Sequence, residues 1–520
     1  MRARLIFRRH LPRQYGHMMV MLLVAGLFTG CHSEDPKKTL TIGGPFEFTS
    51  LDPAKDGYIY TRMQLTETLL DVDAQGALRP SLAKNWTVSE DRLSWQFELR
   101  DDVIFHDGTP LDADTVIKSL GVARSKPGPL NKAPMTAIIA AASHRVEIEL
   151  SAPYNPLGAV LAHYSTQILS PTAYAADGTV TSLVGSGPYR LSQYAPPHKL
   201  HVRRNDQYWG PPARIEQARY LTGHRAESRA LQARSGQADI IYTLDAPSLK
   251  SLSSADNLNV HSELIPRTIL LKLNSGHPFL NDVRARQALS LALDRTGIAA
   301  SILRVPGSEA NQLVPPSLRD WHLDALAPAE QDPTQARRLL AELGWKQGTS
   351  GVLLRDGKPF RLRLITYADR PELPVIATAI QAQLAEIGVA VEVEITNSSA
   401  IPSGHQDGSL EMALIARNFG IIADPLGVML TDFGAGGGDW GAMNWSQPEV
   451  HRLLAELGAE HRRHEYLQKA QRVAQLLADE LPLVPVTFYT QQIAVNKQVK
   501  GFRFDPFERS YHIAEMELED

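Results

Sequence analysis

The chain of 520 residues has a formal net charge of −4, with 43% hydrophobic and 21% charged residues. These proportions are typical of globular proteins, and the length is too great for one core, so two or three domains are expected. The acidic balance argues against nucleic acid as a partner, because proteins that bind nucleic acid usually carry a basic field.

The first 30 residues predict a secretory signal. They contain five arginines and no acidic residue, and they include an apolar run of eleven residues from Met18 to Phe28. A membrane-spanning helix needs about 20 such residues, whereas a basic segment before a short apolar run is typical of a signal peptide. Removal of residues 1–30 would leave 48 basic and 57 acidic residues, which is a net charge of −9.

The only cysteine of the chain, Cys31, ends the stretch LFTGC, which resembles a bacterial lipobox. We therefore predict a diacylglyceryl thioether on Cys31 and a polar tether over residues 31–38. An ordinary signal with an unmodified cysteine is one alternative, and the pair Arg8-Arg9 leaves a twin-arginine signal as another. If the thiol is acylated, the chain can form no disulfide and no cysteine-based metal site.

The first half of the remaining chain predicts mixed helices and strands. The stretch TLTIGG predicts a strand, SLDPAKDG predicts a turn-rich loop, and Tyr60–Leu70 predicts a helix. Apolar and polar residues alternate over 93–99, which is the period of a half-buried strand. Asp73–Gly76 predicts a hairpin turn, and Asp112 stands where a helix N-cap is expected.

The second half adds the pattern of an α/β protein. Asp332, Pro333 and Gly344 predict the cap, first residue and end of a helix. The stretch PVIATAIQAQLAEIGVAVEVEI predicts a helix, a glycine and a strand, a unit that favours a parallel sheet. Because the last strands follow two long helices and return to the first part, we predict a two-lobed molecule with a cleft.

Several blocks of sequence resemble one known family when they are taken together and in order. They are LAKNWTVSEDRLSWQFELRDDVIFHDGTPLDADTV, VGSGPYRL, NDQYWG, SGQADI, LLKLNSGHPFLNDVRARQALSLALDR, ARRLLAELGW, IQAQLAEIGVAVEV and ADP. This combination resembles the bacterial extracellular solute-binding proteins of family 5, the peptide- and nickel-binding receptors of ABC importers. The resemblance covers nearly the whole chain after the tether. It implies a periplasmic-binding-protein type II fold: two α/β lobes with mixed sheets, linked by two crossover strands.

The resemblance also divides the chain and implies its role. Residues 39–268 and 487–520 would form lobe I, residues 269–486 would form lobe II, and RTILLKLN and VPVTFYTQQ would be the crossovers. The expected protein is a monomeric, periplasmic or cell-envelope lipoprotein that is not an enzyme and needs no cofactor. It would capture a small peptide or a nickel or other metal chelate and deliver it to a membrane permease and its ATPase. An extracytoplasmic hydrolase and a signalling receptor on the same fold are the alternatives.

The stretch ARNFGIIADP, residues 416–425, is the best guide to the ligand. It resembles nickel-type and metallophore-type members, in which an arginine and an aromatic residue face the ligand. Arg417 and Phe419 match that outline, and an arginine fork suits a carboxylate. Pairing of Arg417 with a local acid is the alternative. The chain departs from nickel members at Phe419, where Trp is usual, at Ala423, where Tyr is usual, and at Tyr164, which replaces an arginine.

Aromatic residues are expected to line the cavity, as they do in many ligand sites. The hydrophobic core is the alternative place for each of them, and the metal-binding residues stay unknown. Among the 17 histidines, only His163 is expected near the ligand. The aromatic candidates are Tyr60, Tyr164, Phe419, Trp440 and Trp445.

Overall fold

The structure, a computed structural model, describes residues 39–519 except 369 and 436. The predicted signal peptide, Cys31 and the tether lie outside the described residues. Within the part that is described, no helix has both the length and the apolar character that crossing a bilayer requires.

The strands of the described part are numbered in chain order. They are β1 (Thr39–Gly44), β2 (Glu67–Thr68), β3 (Leu70–Val72), β4 (Leu78–Pro80), β5 (Ala83–Val88), β6 (Ser94–Leu99), β7 (Met135–Ala142), β8 (Arg145–Leu150), β9 (Gln167–Ile168), β10 (Tyr189–Ala195), β11 (Lys199–Arg204), β12 (Gln217–Thr222), β13 (Ile240–Tyr242), β14 (Leu258–Leu273), β15 (Lys346–Gln347), β16 (Leu353–Arg355), β17 (Lys358–Pro359), β18 (Arg361–Tyr367), β19 (Ala390–Thr396), β20 (Met412–Asn418), β21 (Leu483–Asn496), β22 (Val499–Lys500) and β23 (Glu517–Leu518).

The α-helices are numbered in the same way. They are α1 (Pro53–Arg62), α2 (Ala113–Arg124), α3 (Leu157–Val160), α4 (Ala226–Arg234), α5 (Ala246–Leu252), α6 (Val283–Leu291), α7 (Arg295–Gly297), α8 (Pro333–Glu342), α9 (Glu372–Glu386), α10 (Ala400–Gln406), α11 (Pro425–Phe433), α12 (Pro448–Ala459) and α13 (Arg463–Glu480). A π-helical turn, Ile298–Leu303, continues α7.

One ten-stranded mixed sheet runs through the molecule in the order β10-β11-β12-β1-β13-β21-β14-β20-β18-β19. We call the part that carries β1 and β10–β13 the first lobe, and the part that carries β18–β20 the second lobe. In the first lobe β1 is parallel to β12 and β13, and in the second lobe β18 is parallel to β19 and β20. This arrangement confirms the predicted two-lobed α/β architecture.

Two long antiparallel strands, β14 and β21, join the lobes at the centre of this sheet. The end of β21 pairs with β13 of the first lobe, and the later part of β14 pairs with β20 of the second lobe. Both predicted crossovers lie on these strands, RTILLKLN on β14 and VPVTFYTQQ on β21. The lobes are therefore connected by adjacent strands, while the exact lobe boundaries stay a prediction.

The first lobe also carries a four-stranded antiparallel sheet in the order β5-β6-β8-β7. On β6 the side chains of Trp95, Phe97 and Leu99 are buried while Gln96 and Glu98 are exposed, as the alternating sequence predicted. Successive side chains of a strand point to opposite faces, so this alternation puts one face on the core.

Local capping signals of the sequence are also confirmed. The Asp112 carboxylate accepts a hydrogen bond from the Thr115 backbone N–H at 2.9 Å, and Asp332 caps α8 by accepting from Gln335 at 2.8 Å. Gly344 has φ +86°, a conformation that favours glycine after a helix end. Each cap satisfies a backbone donor that the helix itself leaves unpaired.

The helix predicted over Tyr60–Leu70 is wrong in its bounds. The helix α1 begins at Pro53, because Asp52 caps it by accepting from the Ala54 N–H at 3.0 Å and proline suits the first turn. It ends at Arg62, and the chain is extended again in β2 and β3. The part PAKDG of the stretch SLDPAKDG is therefore the start of the helix rather than a loop, and only residues 50–52 precede it.

Substitution of a buried residue on a linking strand tests this core. Leu270 on β14 is fully buried, so Leu270→Ala should lower the free energy of unfolding by about 2–5 kcal/mol. Leu354, which is 37% exposed, is the control, and Leu354→Ala should change it by no more than about 0.5 kcal/mol. Urea unfolding measures both values, and equal losses would contradict the described packing.

Candidate functional site

A cavity of about 280 Å³ lies between the two lobes beside the linking strands. The first lobe, β14, the second lobe and the C-terminal segment all contribute to its wall. The main lining side chains are Phe46, Tyr58, Arg62, His163, Tyr164, Arg267, Asn418, Ile421, Ala423, Phe507, Glu508 and Arg509. A contact made to both lobes at once is what can favour lobe closure around a ligand.

A buried group of charged side chains forms one wall of this cavity. Glu508 accepts a hydrogen bond from Nη2 of Arg267 at 2.8 Å, and Nη2 of Arg62 lies 3.7 Å from its other carboxylate oxygen. The Arg62 Nε also donates to the Glu508 backbone carbonyl at 2.6 Å. The three side chains are between 7% and 12% exposed, so water screens these charges little.

The positive charge of this wall exceeds its negative charge. Arg370 lies behind the group, with its guanidinium 5.1 Å from the ring centroid of Tyr489 and 3.0 Å from its hydroxyl. Burial works to raise the pKa of Glu508, but the charges of Arg267, Arg62 and Arg370 outweigh it and hold that pKa below its usual value. Two guanidinium groups, those of Arg62 and Arg267, therefore pair with one ionised carboxylate. The Nε–H of Arg267 is buried and has no hydrogen-bond partner among the described residues.

A tight turn in the C-terminal segment presents Glu508 to the two arginines. The carboxylate of Asp505 accepts from the backbone N–H groups of Phe507, Arg509 and Ser510 at distances of 2.9 to 3.1 Å. Glu508 itself has φ +55°, which is uncommon for a residue other than glycine. The Asp505 hydrogen bonds thus hold the turn that places the Glu508 carboxylate.

Aromatic rings of the first lobe form a second wall of the cavity. Tyr58 contacts Phe46 and Tyr164 edge to face, with ring centroids 5.7 and 6.0 Å apart. The Arg62 guanidinium lies 4.7 Å from the Phe46 ring centroid, which is within cation–π range. Tyr58 and Arg62 are four residues apart on α1, so they share one helix face.

A close approach of α1 to the following segment positions Tyr164. A Cβ atom on Gly57 would lie 2.6 Å from the Tyr164 backbone carbonyl oxygen, so a larger residue would force the two segments apart. The side-chain amide of Gln167 donates to the Gly57 carbonyl at 2.6 Å. The helix and the aromatic wall are therefore fixed relative to each other.

A second cavity adjoins the first. It has a volume of about 380 Å³, lies within the first lobe, and shares Thr61, Ala162, Tyr164 and Arg509 with the cleft cavity. Its acidic side chains have protein partners: Asp71 pairs with Arg509, Asp73 with Arg79 and Glu515 with Arg503. Glu67 accepts hydrogen bonds from Ser186, Tyr208 and Trp209, and burial raises its pKa to about 7.

The structure brings only one of the predicted ligand residues to the cleft cavity. Tyr164 lines it, as does the suspected His163. Tyr60 and Phe419 are fully buried in the hydrophobic cores. The fork of Arg417 is occupied by Asp432, with N–O distances of 2.6 and 2.8 Å, so the alternative of a local acid describes its contact here.

Two tryptophans that were expected in the cavity pack inside the second lobe. Trp440 contacts Tyr367 and Trp445 contacts Phe433, each edge to face with ring centroids 6.4 Å apart. Neither residue lines the two cavities described above. Roles in ligand binding for Arg417, Phe419, Tyr60 and these tryptophans stay predictions.

The charged wall of Arg62, Arg267 and Glu508 was not predicted from the sequence. Arg267 lies in the buried second part of β14, from Ile265 to Leu273, and a charged residue in a buried strand is a signal that could have been followed. Arg62 lies on the same helix face as Tyr58, which is a weaker indication of a site because exposed helix faces often carry arginine. Nothing local indicates that Glu508, 241 residues after Arg267, completes the group.

The pH dependence of stability tests the burial of His163. Burial lowers its pKa from 6.5 to about 3, so the folded protein keeps the ring neutral while the unfolded chain takes up a proton near pH 6.5. The unfolded state binds more protons between these values, so this residue reduces stability as the pH falls from 6.5 toward 3. At pH 5 the effect is about 2 kcal/mol.

The variant His163→Asn keeps a side chain that can accept from the Ser165 N–H, as the His163 ring does at 3.2 Å. Urea unfolding from pH 7 to 4.5 should show a smaller acid loss for this variant than for the unsubstituted protein. Exposed His461, changed to Asn, should leave the acid loss unaltered. If the free energy of unfolding falls with pH equally in all three proteins, His163 is not the buried neutral histidine that we infer.

Comparison with known proteins agrees with this architecture. The family model for bacterial extracellular solute-binding proteins, family 5 middle, matches residues 77–440. The chain is 28% identical over 512 residues to the probable D,D-dipeptide-binding periplasmic protein DdpA of Escherichia coli K12, covering 94% of this chain and 96% of that protein. It is 25% identical over 487 residues to the nickel-binding periplasmic protein of the same organism, covering 89% and 93%.

A solved structure of similar fold is NikA from Brucella suis in complex with Fe(III)-EDTA. It matches with a TM-score of 0.83 and 22% identity, over 92% of this chain and 100% of that chain. The family match, the coverage of whole relatives and the two linked lobes agree with one another. The chain therefore belongs to the bacterial extracellular solute-binding proteins of family 5, the substrate-binding components of ABC importers.

Proposed function

We propose that the interlobe cleft captures a small anionic solute and holds its carboxylate groups with Arg62 and Arg267. The observation that carries this proposal is the surplus of positive charge in the wall, two buried guanidiniums against the single carboxylate of Glu508. Guanidinium groups match carboxylates in shape and charge. The buried Nε–H of Arg267 is a further donor that a ligand oxygen would satisfy.

The acidic residues of the site favour an anion over a zwitterion. A peptide with a free amino terminus needs an unpaired acid or several acceptors for its ammonium group. The acidic side chains that line the two cavities are already engaged by arginines, hydroxyls, an indole N–H or backbone N–H groups. A chelate built on carboxylates, or a peptide with a blocked amino terminus, fits this pattern better. Its aromatic parts or methylene groups would contact Tyr58 and Tyr164.

The relatives differ in the ligand that their names give, a D,D-dipeptide for the probable dipeptide-binding protein and nickel for the other. The role of the protein would be to hand the captured anion to a membrane permease driven by an ATPase. The lining residues come from the first lobe, from β14 and, through Asn418, Ile421 and Ala423, from the second lobe, so ligand contacts would bias the relative positions of the lobes.

Catalysis is not part of this proposal. The ring of His163 lies 2.8 Å from the Ser165 hydroxyl, which resembles a nucleophile and base pair. Its pKa of about 3 makes it a poor base near neutral pH, and no acidic side chain among the described residues contacts it. We assign it to capping the turn Tyr164–Thr166, which carries the aromatic wall.

Paired ligands that differ only in the amino group test the charge argument. We expect N-acetyl-dialanine and the Fe(III)-EDTA anion to bind in calorimetry more tightly than zwitterionic dialanine. The change Arg267→Gln should make the binding free energy of the anions less favourable by about 2 kcal/mol or more, because a buried charge pair with the ligand is lost. Arg62 still pairs with Glu508 in that variant.

The exposed arginine Arg363, which pairs with Glu394 on the second lobe, gives the matched control Arg363→Gln. The Arg363→Gln variant should bind the anions with the same affinity as the unsubstituted protein. Thermal unfolding of both variants separates lost binding from lost folding. Tighter binding of dialanine than of its acetylated form, or equal affinities in the folded Arg267→Gln variant, would refute the proposal.

Attachment to the membrane through a lipid on Cys31 is the second part of the proposal. The stretch LFTGC after a short apolar run supports it, and a thioether-linked diacylglycerol with further acylation gives stable anchoring. In a bacterial host, labelled palmitate should enter the protein and be absent from Cys31→Ser, which should also leave the membrane fraction. Equal labelling of both proteins would contradict lipid attachment at this residue.

A further inference from the structure

Three side chains with metal-ligating atoms meet on the surface of the first lobe, outside both cavities described above. They are Glu47, His198 and His224, and one ligand atom from each lies within 4.8 Å of the other two. The His224 Nε2 atom is 3.2 Å from a carboxylate oxygen of Glu47, and the two imidazole rings lie 5.6 Å apart, nearly perpendicular. The three side chains are exposed, so an ion from solvent can reach them.

The three residues come from separate segments of the chain, and hydrogen bonds of one threonine connect these segments. The Thr222 hydroxyl lies 2.9 Å from the Phe46 carbonyl oxygen and 3.1 Å from that of Pro197, so its single proton is donated to one of them or shared between both. Phe46 and Pro197 directly precede Glu47 and His198. The Thr222 N–H donates to the His198 carbonyl at 2.9 Å, and His224 follows two residues later. The backbone positions of the cluster are therefore fixed by hydrogen bonds that do not involve a metal.

Further contacts hold the segment that carries Glu47. The carbonyl of Phe46 also accepts from the Tyr220 hydroxyl at 3.1 Å, and the same hydroxyl accepts from the Phe46 N–H at 3.0 Å. The Glu47 carbonyl accepts a hydrogen bond from the Tyr58 hydroxyl. Only side-chain rotation is left to complete the site, which limits the entropy lost when an ion binds.

The separations suit a small ion with imidazole ligands. Ligand atoms about 2.0–2.1 Å from a tetrahedral ion lie about 3.3 Å apart, and the His224–Glu47 pair is already at that distance. The remaining ligand atom needs to move by only about 1–2 Å, which rotation of an exposed histidine provides. Two imidazoles and one carboxylate leave at least one position for water.

The chemistry of the ligands selects the ion. Imidazole suits zinc, nickel and copper, whereas calcium and magnesium prefer oxygen ligands. Lys199 and Arg225 directly follow the two histidines. Their positive charges repel a cation, so an ion held only by electrostatic attraction would bind weakly there. The cluster therefore favours ions that form strong bonds to nitrogen over ions held mainly by electrostatic attraction.

We infer that Glu47, His198 and His224 form a surface site for a borderline divalent transition metal such as Zn²⁺, Ni²⁺ or Co²⁺. The site is separate from the cleft, and it does not depend on the ligand proposed above. A bound ion would join the segment before α1, the β10–β11 hairpin and the segment after β12. It would cross-link three parts of the first lobe and so stabilise the folded state.

The test uses the purified, untagged protein after removal of metals with EDTA and dialysis. Titration with Co²⁺ should give a visible d–d absorption that saturates at one ion for each chain, and Zn²⁺ should displace it. The changes His198→Ala and His224→Ala should each lower Co²⁺ affinity at least about tenfold, since loss of an outer-shell partner alone costs about 10–100-fold. The exposed histidine change His461→Ala is the control and should leave the affinity unchanged.

A second measurement separates the site from general effects on folding. Zn²⁺ should raise the melting temperature of the unsubstituted protein and of His461→Ala, but not that of the double variant at His198 and His224. Glu47→Gln should bind Co²⁺ more weakly and keep the melting temperature of the metal-free protein. Absence of stoichiometric Co²⁺ binding, equal affinity in the double variant, or an equal response to Ca²⁺ would overturn the inference.

Discussion

The carboxylate of Glu508 is the interaction on which the cleft depends. It lies between Arg62 of α1 and Arg267 of β14, and without it two buried guanidiniums would repel each other. One carboxylate cannot neutralise both arginines, so the wall keeps a positive excess in a region with little water. A buried charge needs a partner, and an anionic ligand supplies the partner that the protein itself lacks.

The group formed by Glu508 and the two arginines lies where the lobes are joined. Arg267 lies at the point where β14 begins to pair with β20 of the second lobe, while Arg62 belongs to the first lobe. Gly420 also allows the second lobe to approach there, because a Cβ atom on it would lie 2.2 Å from the Pro266 side chain. Ligand binding and lobe position therefore involve the same few residues, which gives the electrostatic contact a mechanical consequence.

Much of the fold could be predicted because its signals are local. The alternation on β6, the caps of α2 and α8, and the helix, glycine and strand of α9 and β19 each depend on neighbouring residues. The start of α1 was missed where a capping aspartate and a first-turn proline looked like a turn.

The charged wall was missed for a different reason. It joins residues 62, 267 and 508, and no local pattern reports a contact over such separations. Glu47 is likewise far in the sequence from His198 and His224, with which it forms the surface cluster.

The identity of the solute that stays bound during purification decides whether the cleft binds an anion. Native mass spectrometry of the protein, followed by release and identification of the small molecule, measures it without any assumption about ligand class. We expect a solute with net negative charge and at least one carboxylate, released when Arg267 is changed to Gln. A cationic solute, or a peptide with a free amino terminus and no net negative charge, would contradict it.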